Sequence, residues 1–414
     1  MRILQIVPLL SPKGEYGGPT TVALEQCAAL QAAGHNVILA AGSRGYTQAP
    51  NELNGVPLRL FDAWTPPGIG LRGLSSPGLI SWAARVAPTA DVVHVHLARD
   101  LASLPAAAAA LARGANLAVQ THGMVQPTKN PLAPTIDALL TRRVLRGAGR
   151  VFYLTDQERD GLRRVAPSLQ LQHMRNGIGM PLQPSRLETN SGDAPVQVLY
   201  LARLHARKRP MEFVEMAAIL ARRHPTAHFT LIGPDEGEGD AVRARVAELG
   251  LGPRLRWIGP VDPATARDAM AQADLYVLPS IDEPYPMSVL EALAHGVPVV
   301  VTDSNGLAAL VAQSEAGTVV PATTGHRQDL IRAVDRYLND VTLRRCAARN
   351  ARIAAEKHLS MPAVVEVLTQ AYGELAGQLI KKDSTSAFLT SGLSRSRGRA
   401  GQSRRNDATR KGHP

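Results

Sequence analysis

The stretch Pro279-Ser-Ile-Asp-Glu283-Pro-Tyr-Pro-Met-Ser-Val-Leu-Glu291 sets two carboxylates eight positions apart around a helix start. Pro286 suits the first position of a helix. The amides of Met287, Ser288 and Val289 would then be unpaired donors at a positive helix end. A carboxylate, an anion-binding helix end and a second carboxylate follow in order. The plainer reading is an acidic loop before an ordinary helix. Arg203 and Lys208 stand just after a strand-like run, a placement suited to phosphate or to solvent. His122-Gly123 closes another such run, where a cleft residue belongs. Gly17-Gly18-Pro19 precedes a helical stretch, where glycines let a backbone approach an anion.

Other motifs carry less. Gly68-Ile-Gly70-Leu-Arg-Gly73 matches GxGxxG but follows Pro66-Pro67 rather than a strand, and Pro77 interrupts what should be its helix. His94 and His96 share a strand face but lack a third ligand at matching spacing. The sequence has no P-loop, no GxSxG elbow and no HExxH. No Asp-x-Asp pair accompanies the two glutamates, so no metal is expected.

These residues need a frame of strand ends. The first half alternates strand candidates (Arg2–Pro8, Asn36–Ala41, Pro57–Phe61, Asp91–His96, Leu117–Thr121, Arg150–Leu154) with helical patterns over Thr20–Ala33, Pro77–Val86, Leu101–Ala112 and Ile136–Arg146. The polar, proline-bearing segment 181–195 reads as a linker. The alternation then restarts with Val196–Leu201, His228–Ile232, Leu255–Ile258, Asp274–Leu278 and Val297–Thr302. Runs such as Val297-Pro-Val-Val-Val are apolar on both faces, as in buried parallel strands. Repeated βα units imply two doubly wound parallel sheets, with ligands beyond the carboxyl ends of the strands.

The 414 residues include 46 Lys plus Arg against 35 Asp plus Glu, a formal charge of +11. Nine basic and two acidic residues fall in Lys381–Pro414, a tail poor in large apolar residues and read as disordered. Two cysteines exclude a disulfide scaffold and fit a reducing compartment. The early apolar run Ile3–Leu10 is too short and interrupted for a signal peptide, and no stretch suits a membrane span. The expected location is cytoplasmic. One stretch, Ile136 to Arg150, interleaves Leu139, Leu140, Val144 and Leu145 with Arg142, Arg143 and Arg146. It is either core or an anionic-membrane contact at the inner face.

Taken together, the glycine loop, His122-Gly123, Asn176-Gly177-Ile178, Arg203 with Lys208, Glu283 with Glu291, and Gly296-Val-Pro298 resemble the group 1 (family 4) retaining glycosyltransferases. The resemblance spans roughly Met1 to Leu379. It implies the GT-B fold: an acceptor-side Rossmann-like domain over 1–180, a linker over 181–195 and a nucleotide-sugar-binding Rossmann-like domain over 196–360. A helix over 361–380 would return to the first domain, before the basic tail 381–414. It implies a nucleotide-diphosphate sugar as co-substrate, with no cofactor. Arg203 and Lys208 would hold the diphosphate, Glu291 the ribose and Glu283 the sugar hydroxyls. Gly17, Gly18 and the Met287–Val289 amides would approach the donor, and His122 would face the reacting sugar. The implied partners are this donor and a glycan or lipid-linked acceptor; nucleic acid is disfavoured. Ala202 and Pro286 replace glycines often found in the family beside the diphosphate. The alternatives are a nucleotide-sugar 2-epimerase of the same architecture, or a non-catalytic basic binding protein.

Overall fold

A computed structural model describes residues 1–12, 18–68, 70–128, 133–181, 186, 194–323 and 326–377. Gly17, the basic tail and most of segment 181–195 lie outside the described residues. Eight strands build the first sheet: β1 (Arg2–Leu10), β2 (Asn36–Ser43), β3 (Glu52–Leu53), β4 (Val56–Asp62), β5 (Val92–His96), β6 (Leu117–Gln120), β7 (Arg150–Tyr153) and β8 (Leu171–His173). Their order is β3-β4-β2-β1-β5-β6-β7-β8, parallel throughout except for the β3–β4 pair. Pro8 cannot donate to a ladder, yet β1 runs past it to Leu10 through a register shift between Val7 and Leu9.

The second sheet holds β9 (Gln197–Leu201), β10 (His228–Ile232), β11 (Leu255–Trp257), β12 (Leu275–Leu278), β13 (Val299–Thr302) and β14 (Gly317–Val320). The order β11-β10-β9-β12-β13-β14 is wholly parallel. Each sheet reverses direction of growth beside its first strand, at β1/β5 and β9/β12. That reversal opens a crevice at the carboxyl ends, where the chemistry-bearing loops lie.

The strands β3, β8 and β14 were not anticipated. All three are edge strands of two to four residues, half-exposed, and too short for a period-2 pattern to separate from a loop. A helix over 361–377 follows the second sheet and packs on the first. Its Val364, Leu368, Tyr372 and Leu375 share a core with Ile3, Val7, Leu30 and Phe152. Each such side chain contributes about 1.5–3 kcal/mol by leaving water.

The stretch considered for a membrane contact folds as Ala133–Ile136, a π-helical turn Asp137–Thr141 and Arg142–Gly147. Val144 and Leu145 are fully buried in the first-domain core, and Leu140 packs against it. Only Leu139 stays open, at 69% exposure, so the apolar stripe is core rather than a lipid-facing surface. Among the described residues no helix is long and apolar enough to cross a membrane.

Candidate active site

The loop after β9 carries Arg203 and Lys208, and two buried tyrosines shape it. The Tyr200 hydroxyl donates to the Arg203 carbonyl at 3.3 Å and lies 3.5 Å from that of Lys208. The Tyr276 hydroxyl, from β12, lies 3.0 Å from the Leu201 carbonyl and 2.7 Å from Ser288 Oγ. A buried phenol needs a partner, and these two use theirs to join the loop to the start of the helix Met287–Ala294. Burial pushes both hydroxyls above their ordinary range, so they stay protonated. Neither tyrosine was singled out from the sequence; a phenol inside a buried strand was the available signal.

Lys208 Nζ donates to Glu283 Oε2. Glu283 is 7% exposed, and its carbonyl accepts from the Gly306 amide at 2.8 Å. Gly306 has to be a glycine, because a Cβ there would strike the Pro284 carbonyl and Thr155 of the first domain. Arg203 turns elsewhere: its Nη1 lies 2.8 Å from both Glu236 oxygens, with 55% of the side chain exposed. Glu236, on the loop after β10, is a partner that the sequence reading missed.

The helix Met287–Ala294 has Pro286 as its N-cap and, among the described residues, no capping side chain. The Val289 amide does not stay free, as the sequence reading had it. It donates to the Pro286 carbonyl at 3.1 Å, closing a tight first turn. Met287 and Ser288 are left to offer uncapped amides.

Glu291, one turn further on, lines a cavity of about 710 Å³ together with Met287, Arg267 and His295. The first domain closes that cavity with Gly18, which opens the helix Gly18–Ala32, and with Glu25. Burial raises the Glu291 carboxyl, with Arg267 opposing the shift. Burial, and then the Glu291 charge, raises Glu25, whose Oε2 is buried with no hydrogen-bond partner among the described residues.

Opposite Glu283 stands the turn after β6. His122 and Gly123 are both left-handed, at φ 49° and 75°. The Glu158 carboxylate, 1% exposed, clamps the turn from both sides. It accepts from Thr121 Oγ1 at 2.5 Å, from the Gly123 amide at 2.6 Å and from the Leu154 amide at 2.7 Å. A Cβ added to Gly123 would sit 3.9 Å from Pro284 Cβ, so this turn meets the Glu283 loop across the cleft. His122 Nε2 lies 2.7 Å from His96 Nδ1, and the two rings stack. Desolvation holds His122 down at about 3, a neutral ring at neutral pH. Asn176 is 5% exposed at the crossover between domains, bonded to Gln120 at 3.1 Å and, through its carbonyl, to the Tyr285 hydroxyl at 3.4 Å.

Cations, uncapped amides and carboxylates thus face a neutral imidazole across two domains, an arrangement fit to hold an anion and a polyol together. The chain is similar to an alpha-D-kanosaminyltransferase of Streptomyces kanamyceticus, 27% identical over 63% of this chain and 71% of that protein. It is also similar to a D-inositol 3-phosphate glycosyltransferase of Nocardia farcinica, 29% identical over 42% of this chain but only 39% of that relative. Among solved structures, HepE of Anabaena in complex with UDP superposes at a TM-score of 0.70, with 19% identity over 90% of this chain and all of that one. Sucrose-phosphate synthase of Thermosynechococcus elongatus reaches 0.68, with 20% identity over 91% and 100%. These likenesses establish the shared GT-B fold. The model of the glycosyl transferase 4-like domain matches residues 17–174, and that of glycosyl transferases group 1 matches residues 184–354. With both halves matched in order on this fold, the chain belongs to the group 1 glycosyltransferases.

Proposed function

We propose that the protein is a retaining, metal-independent glycosyltransferase that moves a sugar from a nucleotide-diphosphate sugar to a glycan or lipid-linked acceptor. The observation that carries this reading is the wall formed by Lys208, Glu283 and the uncapped start of the helix Met287–Ala294. As the bond from the anomeric carbon to phosphate breaks, charge grows on the diphosphate. Fixed cations and helix-end amides stabilise that charge where it develops. Lys208 and Arg203 bind the diphosphate, the Met287 and Ser288 amides approach it, and Glu291 takes the ribose hydroxyls. Glu283 orients the sugar opposite His122. Gly18 approaches the donor from the first domain. A donor phosphate oxygen receives the acceptor hydroxyl proton, and the new bond forms on the face that the nucleotide leaves. The anion is neutralised by side chains and amides, so no cofactor is called for.

The Anabaena relative was solved with UDP and with UDP-glucose, which makes uridine nucleotides the first donors to try. Incubation with a panel of labelled nucleotide sugars and glycan or lipid-linked acceptors tests the reading. Transfer with retained configuration in the presence of a chelator is the expected result. Epimerised donor, or no turnover of any donor, would overturn it.

A further inference from the structure

On the two central strands of the first sheet, Gln5 of β1 stands beside His94 of β5 and diagonally across from His96, and both Gln5 and His96 are 0% exposed. Gln5 Oε1 lies 2.9 Å from His96 Nε2, and His96 Nδ1 lies 2.7 Å from His122 Nε2. A carbonyl oxygen can only accept, so His96 Nε2 carries a hydrogen. A neutral imidazole has one N–H, so His96 Nδ1 accepts. The hydrogen in the second contact therefore belongs to His122 Nε2. His122 Nδ1 keeps its lone pair, and no hydrogen bond from the described residues reaches it.

With the Gln5 oxygen facing His96, the other arrangement is a doubly protonated His96. Such a cation would lie wholly out of water, its ring 4.7 Å from His94 and 5.0 Å from His122. Burial, then His94 and His122, push His96 well below its ordinary value.

We propose that Gln5, acting through His96, is the positioning residue that fixes the tautomer of His122. The hydrogen stays on Nε2, and Nδ1 is presented to the cleft as a hydrogen-bond acceptor. Resting on the glycosyltransferase reading, the group that Nδ1 receives is a hydroxyl of the sugar being transferred. A site built to accept that hydrogen rejects a sugar lacking it far better than an apolar pocket rejects an extra group. The relay also reaches the helix 361–377: His94, stacked on His96, bonds the Tyr372 hydroxyl at 2.6 Å. The helix returning from the second sheet thereby buttresses the ring stack behind His122.

The test is nitrogen NMR of the full chain labelled on histidine, without nucleotide, with His122 assigned from the signal lost in His122→Gln. The expected wild-type pattern is an Nε2-protonated His122 ring. An Nδ1-protonated ring would mean that Gln5 presents its amide nitrogen, and would overturn the proposal. Gln5→Met removes the acceptor that holds the hydrogen on His96 Nε2. His122 should then show a mixture of its two neutral tautomers, and a single Nε2-protonated form overturns the relay. If that variant fails to fold, Gln5→Leu serves, with the same two outcomes. In transfer assays Gln5→Met should lower kcat about two- to tenfold, up to the size of one net hydrogen bond, with donor KM changed less. The predicted tautomers in a protein that turns over no nucleotide sugar would sustain the relay and remove the glycosyltransferase reading.

Discussion

Lys208 and Glu283 stand 75 residues apart in the chain, yet they form an ion pair with only 12% and 8% of their side chains exposed. The pair ties the loop after β9 to the loop after β12 across the switch point of the second sheet. It sets a cation and a carboxylate in contact where diphosphate and sugar are proposed to meet.

Removing one partner of a shielded pair leaves the other as an uncompensated charge. Lys208→Met should therefore lower unfolding stability by about 2–4 kcal/mol. The double variant Lys208→Met, Glu283→Gln should lose less than the sum of the single losses, with a coupling of at least about 1 kcal/mol. Urea unfolding of the four proteins measures this. Additive losses would mean that the two side chains do not interact in solution.

Arg203 is held differently. Its partner Glu236 is open to water, and exposed pairs contribute roughly 0–1 kcal/mol. Glu236→Gln should leave stability within about 0.5 kcal/mol of wild type. It should also free the guanidinium for phosphate and tighten UDP binding about two- to fivefold. Arg203→Ala should weaken binding instead. Calorimetry with UDP reads both, and an unchanged or weaker affinity in Glu236→Gln would show that Glu236 does not compete for Arg203.

The sequence made the sheets legible because their central strands are apolar on both faces, as in Val299–Thr302. Edge strands such as Leu171–His173 carry no such run. Single candidate residues could be picked out where type and spacing met, as with Glu283 and Glu291. Their partners were not. Nothing local to Arg203 points to Glu236, and nothing local to His122 points to Gln5, which is 0% exposed on another strand. The Val289 amide was misread because helix ends were treated as open for a full turn, whereas Pro286 closes this one early.

Glu25 links the cavity to pH. Its folded carboxyl is raised by burial first and by the Glu291 charge second. The unfolded value is about 4.3. Between that value and the raised one the native state binds more protons than the unfolded state, so this group's contribution to stability falls as pH rises. Glu25→Gln removes the dependence. Its melting temperature should match wild type most closely near pH 4 and exceed it increasingly toward neutral pH. Scanning calorimetry across that range decides the matter. A variant that gains nothing at neutral pH would mean that the Glu25 charge is not penalised in the fold.

Glu283 and Glu291 are proposed to act on different parts of one donor, so glutamine at each should leave a different signature. Glu283→Gln removes the charge that orients the sugar at the reacting carbon, and misplacement there is costly in turnover. It also releases Lys208, so UDP should bind that variant as well as wild type or better. Glu291→Gln acts in the cavity shared with Gly18 and Glu25, remote from the breaking bond. A contact equal in ground and transition states lowers affinity without slowing chemistry, so donor KM should rise while kcat holds. UDP should bind this variant poorly. Calorimetry with UDP alongside steady-state kinetics separates the two. If the two variants shared one signature, the division of labour along the donor would be wrong. If neither changed binding or transfer in a folded protein, the carboxylates would be an acidic loop and no more.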